Sequence, residues 1–462
     1  MTAPEVAAPR MGFGVLTATS GGRDVRSVGE RLAATGIGRA FVERDDASRE
    51  QPASLDATGR TPAPWPEFHV GWMCAVAGVV CAVAVHLLRV DPFQNPDSYA
   101  FVALARSLLA GHGLVYREPM FPSVPLYAFR SPGYAAFLAL ALMLGGVTAA
   151  VTLQGALSGV SAALVGDIAR QLAGRRAAWI AFTLRLAWLA AWSHAGQLTT
   201  ESFFEFTMIL TVWLAQRAAA RRNVAWAASA GVVATVSVLT RPSGVGPVVA
   251  MVWWLARRFP RAAIVLVATA VLVWLPWPIR NYERLHTFAP FLTMGGVALW
   301  DSHTEQPTIV AWTYMAEHPE LGEVGFDRHF TAATIQLIRD DPPGFVRRTA
   351  RAALEYMGPI RDRRLDTWLH RFALLALLPG LWWAPARARL KLPALVWLAF
   401  GVPMIPIVVN LRYRFPAEWC VLIGAAIGLD ALCQHAGGRR AAMLGAAGLA
   451  ACILFTIAVG RP

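Results

Sequence analysis

Long apolar runs, separated by short clusters of arginine, make up most of the chain from residue 70 onward. The runs at 70–90, 149–169 and 261–279 are each close to the roughly 20 residues that an α-helix needs to cross the hydrocarbon core of a bilayer. This pattern predicts an all-α polytopic membrane protein and excludes an ordinary soluble globule.

The arginine clusters orient the predicted helices, because basic residues concentrate in the cytoplasmic loops of membrane proteins. The clusters lie at 170–176, 217–222, 257–261, 387–391 and 439–440. Placing every cluster in the cytoplasm predicts about eleven transmembrane helices, starting inside and ending outside. The predicted helices lie near 70–90, 149–169, 177–193, 203–218, 224–240, 243–257, 261–279, 368–385, 391–409, 415–433 and 441–459.

One apolar run, at 132–147, does not fit this count as a full crossing, because it would turn every later arginine cluster outward. It begins Ser-Pro-Gly, ends at Gly-Gly, and is short for a span. We therefore expect a partly embedded helix in the first external loop, at 91–148. Residues 97–110 carry apolar side chains at helical spacing, which predicts a second interfacial helix in that loop.

The chain divides into four predicted segments, of which the first is a mostly disordered cytoplasmic extension rich in Gly, Ala, Pro and balanced charge. The third is a long external loop, with short amphipathic helices expected at 330–338 and 345–354. The segments are 1–69, the transmembrane module 70–279, the external loop 280–367 and the C-terminal transmembrane helices 368–462.

Composition and charge narrow the function. Residues 1–66 hold eight arginines and eight acidic residues, so the net charge of +13 belongs entirely to the rest of the chain. There the basic residues sit in short clusters between apolar runs, the pattern that orients membrane helices rather than one that binds nucleic acid. The five cysteines lie in apolar runs without the spacing of a metal site or a disulfide framework.

Acidic residues at the predicted external helix ends are candidates for catalysis, because ionisable groups near the membrane are costly and are usually functional. Asp97 follows Asn95-Pro96 and opens the first loop helix. It could act as the general base that takes a proton from an acceptor hydroxyl, or simply cap the helix. Glu201, in Leu-Thr-Thr-Glu-Ser, heads another helix, where it could act in the site or complement the positive end of the helix dipole.

Arginines recur at the same external ends, against the usual charge bias, and this requires an explanation. A bound phosphate or pyrophosphate supplies one, since the guanidinium fork matches phosphate oxygens. Contact with lipid head groups is the alternative. The arginines are Arg130, Arg241, Arg280, Arg412 and Arg414, and Asn281 and His303 are predicted on the same side.

Six short motifs, in this order, resemble the GT-C superfamily of integral membrane glycosyltransferases, most closely the family 39-like relatives of protein mannosyltransferases and the aminoarabinose transferase. The resemblance covers roughly residues 70–435. The motifs are Asp97-Ser-Tyr99-Ala with Leu-Leu-Ala-Gly-His-Gly-Leu, Phe-Arg130-Ser-Pro-Gly-Tyr, Leu-Thr-Thr-Glu201, Leu-Thr-Arg241-Pro, Pro-Trp-Pro-Ile-Arg280-Asn281 and Arg412-Tyr-Arg414-Phe-Pro.

The resemblance implies a GT-C-like architecture and transfer of a hexosyl or pentosyl group, with inversion, from a polyprenyl-phosphate donor to a glycan, lipid or protein acceptor. It implies that Asp97 is the base and that Glu201 lies near the site. Arg130, Arg280 and Arg412 would contact the lipid phosphate. Arg241, Arg414, Tyr99, Asn281 and His303 are the other expected substrate-binding residues.

The resemblance also bears on cofactors and location. Relatives often carry a second acidic residue beside the first, but this chain has Ser98 there, so the sequence does not support a divalent cation. No nucleotide or redox cofactor is expected. The expected location is the bacterial inner membrane, with the active site external and the N-terminus cytoplasmic. A lipid-linked glycan polymerase or ligase, and a lipid-linked sugar transporter or flippase, are the alternative functions.

Overall fold

A computed structural model describes residues 65–304, 308–358, 367–407, 411–436 and 438–460, and these described residues form one compact unit. Of the predicted extension 1–69, residues 1–64 lie outside the described residues. The described chain is almost entirely helical, with one two-stranded antiparallel sheet that pairs Tyr116 with Leu126. The all-α prediction is therefore confirmed for these residues.

The elements of the first half begin with helices α1 and α2 and the hairpin strands β1 and β2. They are α1 (Val70–Leu87), α2 (Asp97–Leu109), β1 (Tyr116–Arg117), β2 (Pro125–Leu126), α3 (Pro132–Ala173), α4 (Arg175–Leu186), α5 (Leu189–Gly196), α6 (Thr200–Arg221), α7 (Val224–Thr240), α8 (Val245–Ala256), α9 (Pro260–Trp274) and α10 (Pro276–Leu285).

The second half consists mainly of helices where it is described. Short 3₁₀ turns lie at Pro242–Gly244 in the first half and at Pro319–Leu321 and Phe415–Ala417 in the second. The helices are α11 (Gly295–His303), α12 (Ile309–Glu317), α13 (Gly322–Asp340), α14 (Pro342–Met357), α15 (Thr367–Trp382), α16 (Ala384–Arg389), α17 (Lys391–Met404), α18 (Leu411–Arg414), α19 (Glu418–Ala436) and α20 (Gly438–Gly460).

Four helical segments of the described chain are long and apolar enough to cross a membrane: Val70–Leu87, Pro132–Ala173, Pro260–Leu285 and Arg412–Ala436. Shorter apolar helices lie at Val224–Thr240, Pro242–Ala256 and Lys391–Met404. Many large apolar side chains on these helices are exposed, as in α1, which is the expected state of a lipid-facing surface. The chain is a multi-pass membrane protein, while the number of eleven crossings stays a prediction.

Helix α3 consists of two helices joined at a kink. Gly145 and Gly146 interrupt the helical backbone, and Gly146 has a φ of 66°, which glycine adopts without a steric penalty. The expected helix 132–147 is thus separate from the next one, which the sequence placed at 149–169. Helix α1 packs along the second part of α3, where a Cβ on Gly159 would collide with the carbonyl oxygen of Ala77. Small residues of this kind let membrane helices approach closely.

The predicted helix at 177–193 is divided. Helix α4 ends at Leu186, and α5 begins at Leu189 after Trp188 adopts an extended conformation. Arg185 in the last turn of α4 is buried and forms an ion pair with Glu205 of α6 at 2.5 Å. This pair satisfies both charges away from water, as a charge buried among membrane helices requires.

The two predicted external loops pack together into one region, the cap lobe, formed by residues 91–131 and the described residues of 286–341. An apolar core joins α2 and the β1–β2 hairpin to α11, α12 and α13. The predicted loop helices are present, although α13 and α14 extend beyond the expected 330–338 and 345–354. The cap lobe forms the wall of the candidate site.

Candidate active site

Two carboxylates and three arginines meet in one network of ion pairs, the ion cluster, formed by Asp97, Arg130, Glu201, Arg241 and Arg412. Asp97 binds Arg130 Nη2 through Oδ1 at 2.7 Å and Arg412 Nη2 through Oδ2 at 2.8 Å. Glu201 Oε1 accepts from Arg241 Nη1 at 3.0 Å and from Arg412 Nε. Arg412 therefore joins the two carboxylates.

Each member of the ion cluster lies at the end of a helix, where the chain turns. Asp97 is the first residue of α2, and its backbone N–H donates to the side-chain oxygen of Asn95 at 3.0 Å. Pro96, and not Asp97, is the N-cap residue of α2, and both carboxylate oxygens of Asp97 bind arginines. Glu201 lies in the first turn of α6, where the helix dipole favours a negative charge.

The three arginines of the ion cluster come from three other places in the chain where one element ends and the next begins. Arg130 lies two residues before the start of α3, Arg241 follows the last residue of α7, and Arg412 lies in the short helix α18. Their guanidiniums also lie over aromatic rings, as Arg241 does over Tyr413 at 4.7 Å. These stacking contacts restrict the arginine side chains and favour a preorganised site.

Burial differs across the ion cluster. The side chain of Glu201 is 0% exposed, whereas Asp97 and Arg412 are 25% and 23% exposed. Burial opposes ionisation of Asp97, but the nearby charges of Arg130 and Arg412 outweigh it and hold the pKa of this carboxyl below its usual value. The cluster thus carries three positive and two negative charges, and the excess favours an anionic ligand.

The ion cluster borders a cavity of about 710 Å³ between the bundle and the cap lobe. Asp97, Arg130 and Arg412 line it directly. Tyr99, expected to bind substrate, also lines the cavity and is 63% exposed. This volume lies within the roughly 300–1,000 Å³ of small-molecule sites.

Two predicted phosphate ligands bind the protein backbone instead of joining the ion cluster. The guanidinium of Arg280 donates to the carbonyl oxygens of Tyr127 and Leu114, both at 2.6 Å, and so holds the first loop. Arg414 is buried, forms an ion pair with Glu418 and donates to the carbonyl oxygen of residue 355 at 3.1 Å. Neither arginine lines the cavity.

Asn281 and His303 likewise hold local structure. The buried amide of Asn281 donates to the carbonyl oxygen of Ala289 at 2.8 Å, which fixes the turn after α10. His303 Nε2 lies 2.7 Å from the carbonyl oxygen of Pro406. Their roles in substrate binding stay predictions, since both lie outside the residues that line the cavity.

Glu323 of α13, an acidic residue that no motif in the sequence singles out, positions the site without lining the cavity. Its carboxylate accepts from the N–H groups of Tyr127 at 2.6 Å and Ala128 at 2.8 Å, and from the hydroxyl of Thr293. Burial raises the pKa of Glu323 in spite of these hydrogen bonds. The carboxylate fixes the segment that leads to Arg130, and it joins the two loops of the cap lobe.

Other lining residues were also missed, because nothing in their local sequence distinguishes a cavity wall from a surface. They are Glu118 in the hairpin, Asp301 of α11 and Trp312 of α12. Within the part of the chain that the structure describes, no group of three or more His, Cys, Asp or Glu residues could hold a metal ion.

Comparison with solved structures places the fold. An Archaeoglobus fulgidus oligosaccharyltransferase in the apo form matches with a TM-score of 0.54 and 14% identity, over 85% of this chain and 56% of that one. The A. fulgidus oligosaccharyltransferase AglB, in complex with an inhibitory peptide and a dolichol-phosphate, matches with a TM-score of 0.52 and 14% identity, over 85% and 55%. This chain spans about half the length of these proteins.

ArnT from Cupriavidus metallidurans, bound to undecaprenyl phosphate, matches with a TM-score of 0.38 and 16% identity, over 80% of this chain and 79% of that one. No protein-family model and no curated protein sequence matches the chain. The likeness to the oligosaccharyltransferases shows that the chain has a GT-C-like fold, as its motifs predicted.

Proposed function

We propose that this chain, which has a GT-C-like fold, is a membrane glycosyltransferase that moves a sugar from a polyprenyl-phosphate donor to a hydroxyl-bearing acceptor. The acceptor is a glycan, a lipid or a protein. The ion cluster beside the 710 Å³ cavity carries this proposal, because its excess of positive charge suits a phosphate. The dolichol-phosphate bound by the oligosaccharyltransferase AglB supports a lipid-linked donor.

In the proposed reaction, Arg130 and Arg412 bind the phosphate of the donor. The bond between the anomeric carbon and the phosphate oxygen breaks as the acceptor oxygen attacks from the opposite face, so the configuration inverts. The leaving polyprenyl phosphate gains negative charge, which guanidiniums already in position stabilise in the transition state. The tail of the donor stays in the lipid, and its charged head lies at the cavity.

Asp97 is the proposed base, and its contacts explain how donor binding prepares it. Both arginines that bind its carboxylate are also the proposed phosphate ligands. A phosphate between them takes over part of their hydrogen bonding and adds a negative charge, which raises the proton affinity of the carboxylate. The freed oxygen then accepts the proton of the acceptor hydroxyl.

Glu201 and Arg241 are the proposed support of this arrangement. Glu201 is fully buried and binds Arg241 and Arg412 through the same oxygen, so it holds Arg412 at the cavity without lining the cavity itself. The proposed location is the bacterial inner membrane, with the cavity on the outer side, where flipped lipid-linked sugars are found.

The test is transfer of a radiolabelled sugar from a polyprenyl phosphate to membrane acceptors by the reconstituted protein. Asp97→Asn keeps the shape of the side chain and removes the base, and it should lower the rate at least about 100-fold. Asp91→Asn is the matched control, since Asp91 is exposed and accepts from the N–H of Phe93 at 2.9 Å. Transfer at the wild-type rate by Asp97→Asn would refute the mechanism, and sugar accumulation in vesicles without a new glycosidic bond would indicate a transporter.

A further inference from the structure

The cavity is lined by charges of both signs. Among the described lining residues, the cationic side chains are Arg130 and Arg412, and both bind Asp97. The other charged lining residues are two carboxylates, Glu118 and Asp301, contributed by the cap lobe. Among the described residues, neither Glu118 nor Asp301 forms an ion pair with Arg130 or Arg412, whose ion-pair partners are Asp97 and Glu201. We define the acidic wall as these two unpaired carboxylates with the lining residues Tyr116, Thr308 and Trp312.

Glu118 is held in place by the hairpin. Its Oε2 accepts from the hydroxyl of Tyr116 at 2.8 Å, and the buried ring of Tyr116 stacks on Phe129 with centroids 5.1 Å apart. Burial and, to a smaller extent, the hydrogen bond to Glu118 raise the pKa of Tyr116, so its hydroxyl stays protonated and donates to the carboxylate. Glu118 is therefore a fixed, half-buried anion at the cavity.

Asp301 is held similarly from the other loop. It lies near the end of α11, and its Oδ1 accepts from the hydroxyl of Thr308 at 2.7 Å. Trp312 lies one helical turn beyond Thr308 and is stacked on Phe121, with centroids 5.9 Å apart. The acidic wall thus presents two anchored carboxylates next to an anchored aromatic side chain.

These groups select their ligand by charge and by hydrogen bonding. Ionised carboxylates only accept hydrogen bonds, so they pair with hydroxyl and amino groups. A phosphate or carboxylate on the ligand would be repelled by the carboxylates of Glu118 and Asp301, so ligands that carry such a group bind weakly here. Aromatic side chains offer an apolar face that suits the C–H face of a sugar ring.

We propose that the acidic wall is a subsite for a hydroxyl-rich saccharide without negative charge, whose sugar is either the one being transferred or part of the acceptor. This inference rests on the proposed function, and it adds that Glu118 and Asp301 determine specificity. Phosphorylated and acidic sugars are excluded from the acidic wall, while the phosphate of the donor stays at the arginines.

Binding of simple sugars tests this without any transfer step. The probes are methyl glucoside, glucosamine and glucuronic acid, measured by saturation-transfer NMR on the full chain in nanodiscs, with excess farnesyl phosphate to occupy the arginines. We expect the neutral and cationic probes to bind, and glucuronic acid to bind at least about tenfold more weakly. Equal binding of glucuronic acid and glucosamine by the wild type would overturn the proposal.

The double variant Glu118→Gln, Asp301→Asn should weaken glucosamine binding about tenfold and remove the discrimination against glucuronic acid. The matched control is Glu320→Gln, Asp340→Asn, which neutralises two exposed acids of the cap lobe that do not line the cavity, and it should change neither value. Thermal melting establishes that both variants are folded. If the wall variant binds all three probes as the wild type does, the inference is wrong.

Transfer kinetics then distinguish the two sources of the sugar. A higher KM for polyprenyl-phosphate mannose in the wall variant identifies the transferred sugar, and a higher KM for the acceptor saccharide identifies the acceptor. Unchanged values for both contradict the proposal. Failure of the glycosyltransferase proposal is separately visible, because the wild type would then form no new glycosidic bond from a polyprenyl-phosphate sugar, whatever the sugar-binding result.

Discussion

Arg412 connects the two carboxylates of the ion cluster, so its removal tests whether the cluster is a coupled unit. In Arg412→Gln, Glu201 stays fully buried with Arg241 as its remaining arginine partner in the cluster. Asp97 likewise keeps Arg130. Removing one partner of a buried ion pair leaves an under-compensated charge, and this is the main source of the expected loss of stability.

The magnitude follows from burial. Removing a partner from a buried pair costs about 3–5 kcal/mol. Because Arg412 is 23% exposed, water replaces part of the lost interaction, and we expect about 3 kcal/mol, the lower end of that range. Neutralising Glu201 as well removes the buried charge. The double variant Arg412→Gln, Glu201→Gln should therefore be destabilised by about 2 kcal/mol less than the sum of the losses in the two single variants.

The assay is a double-mutant cycle on the free energy of unfolding, measured by titration with SDS in mixed micelles. The matched control is the pair formed by Arg351 and Glu355 on α14, whose side chains are 73% and 51% exposed. The same cycle on that pair should give a coupling of about 0.3 kcal/mol. A coupling between Arg412 and Glu201 as small as that of the control would refute the reasoning.

Three further predictions concern the supports of the site. Arg280→Gln should expose the first loop to limited proteolysis, because two hydrogen bonds to its carbonyl groups are lost, while a pure phosphate ligand would leave the digestion pattern unchanged. Burial raises the pKa of Glu323, so the stability of the wild type should fall as the pH rises above about 4.5, the ordinary pKa of a glutamate. The melting temperature of Glu323→Gln should depend less on pH than that of the wild type, and an equal pH dependence of the two would contradict this. Gly146→Ala should lower the free energy of unfolding by about 1–3 kcal/mol, since the backbone at φ 66° and ψ −152° is essentially restricted to glycine, whereas Gly71→Ala, in open space on α1, should cost nothing from strain.

The helices could be predicted because the signal for them is local. An apolar run of sufficient length forms a helix in a membrane whatever its neighbours are, since every backbone group must find a partner within the segment. The run at 224–240 therefore matches α7 residue for residue. The break between α4 and α5 was missed, because the chain around Trp188 is as apolar as the helices that it separates.

The candidate site was only partly predictable, and the arginines show why. Arg280 and Arg412 both lie at predicted external helix ends, and the sequence offers the same reason to select each of them. The structure brings Arg412 to Asp97 at 2.8 Å, whereas Arg280 binds backbone carbonyls of the first loop. Glu323 was missed for the converse reason, because two of its hydrogen-bond partners, Tyr127 and Ala128, lie almost 200 residues away, in the segment before Arg130.

The sequence by itself determined that this is a helical membrane protein, and its ordered motifs predicted the GT-C-like fold. Both follow from patterns that stretch over neighbouring residues, since hydrophobic length and the placement of charge act locally. The tertiary structure alone decided which charged side chains meet. An ion pair between residues 97 and 412 depends on how the helix ends are arranged in space, and that arrangement results from the packing of the whole bundle and the cap lobe.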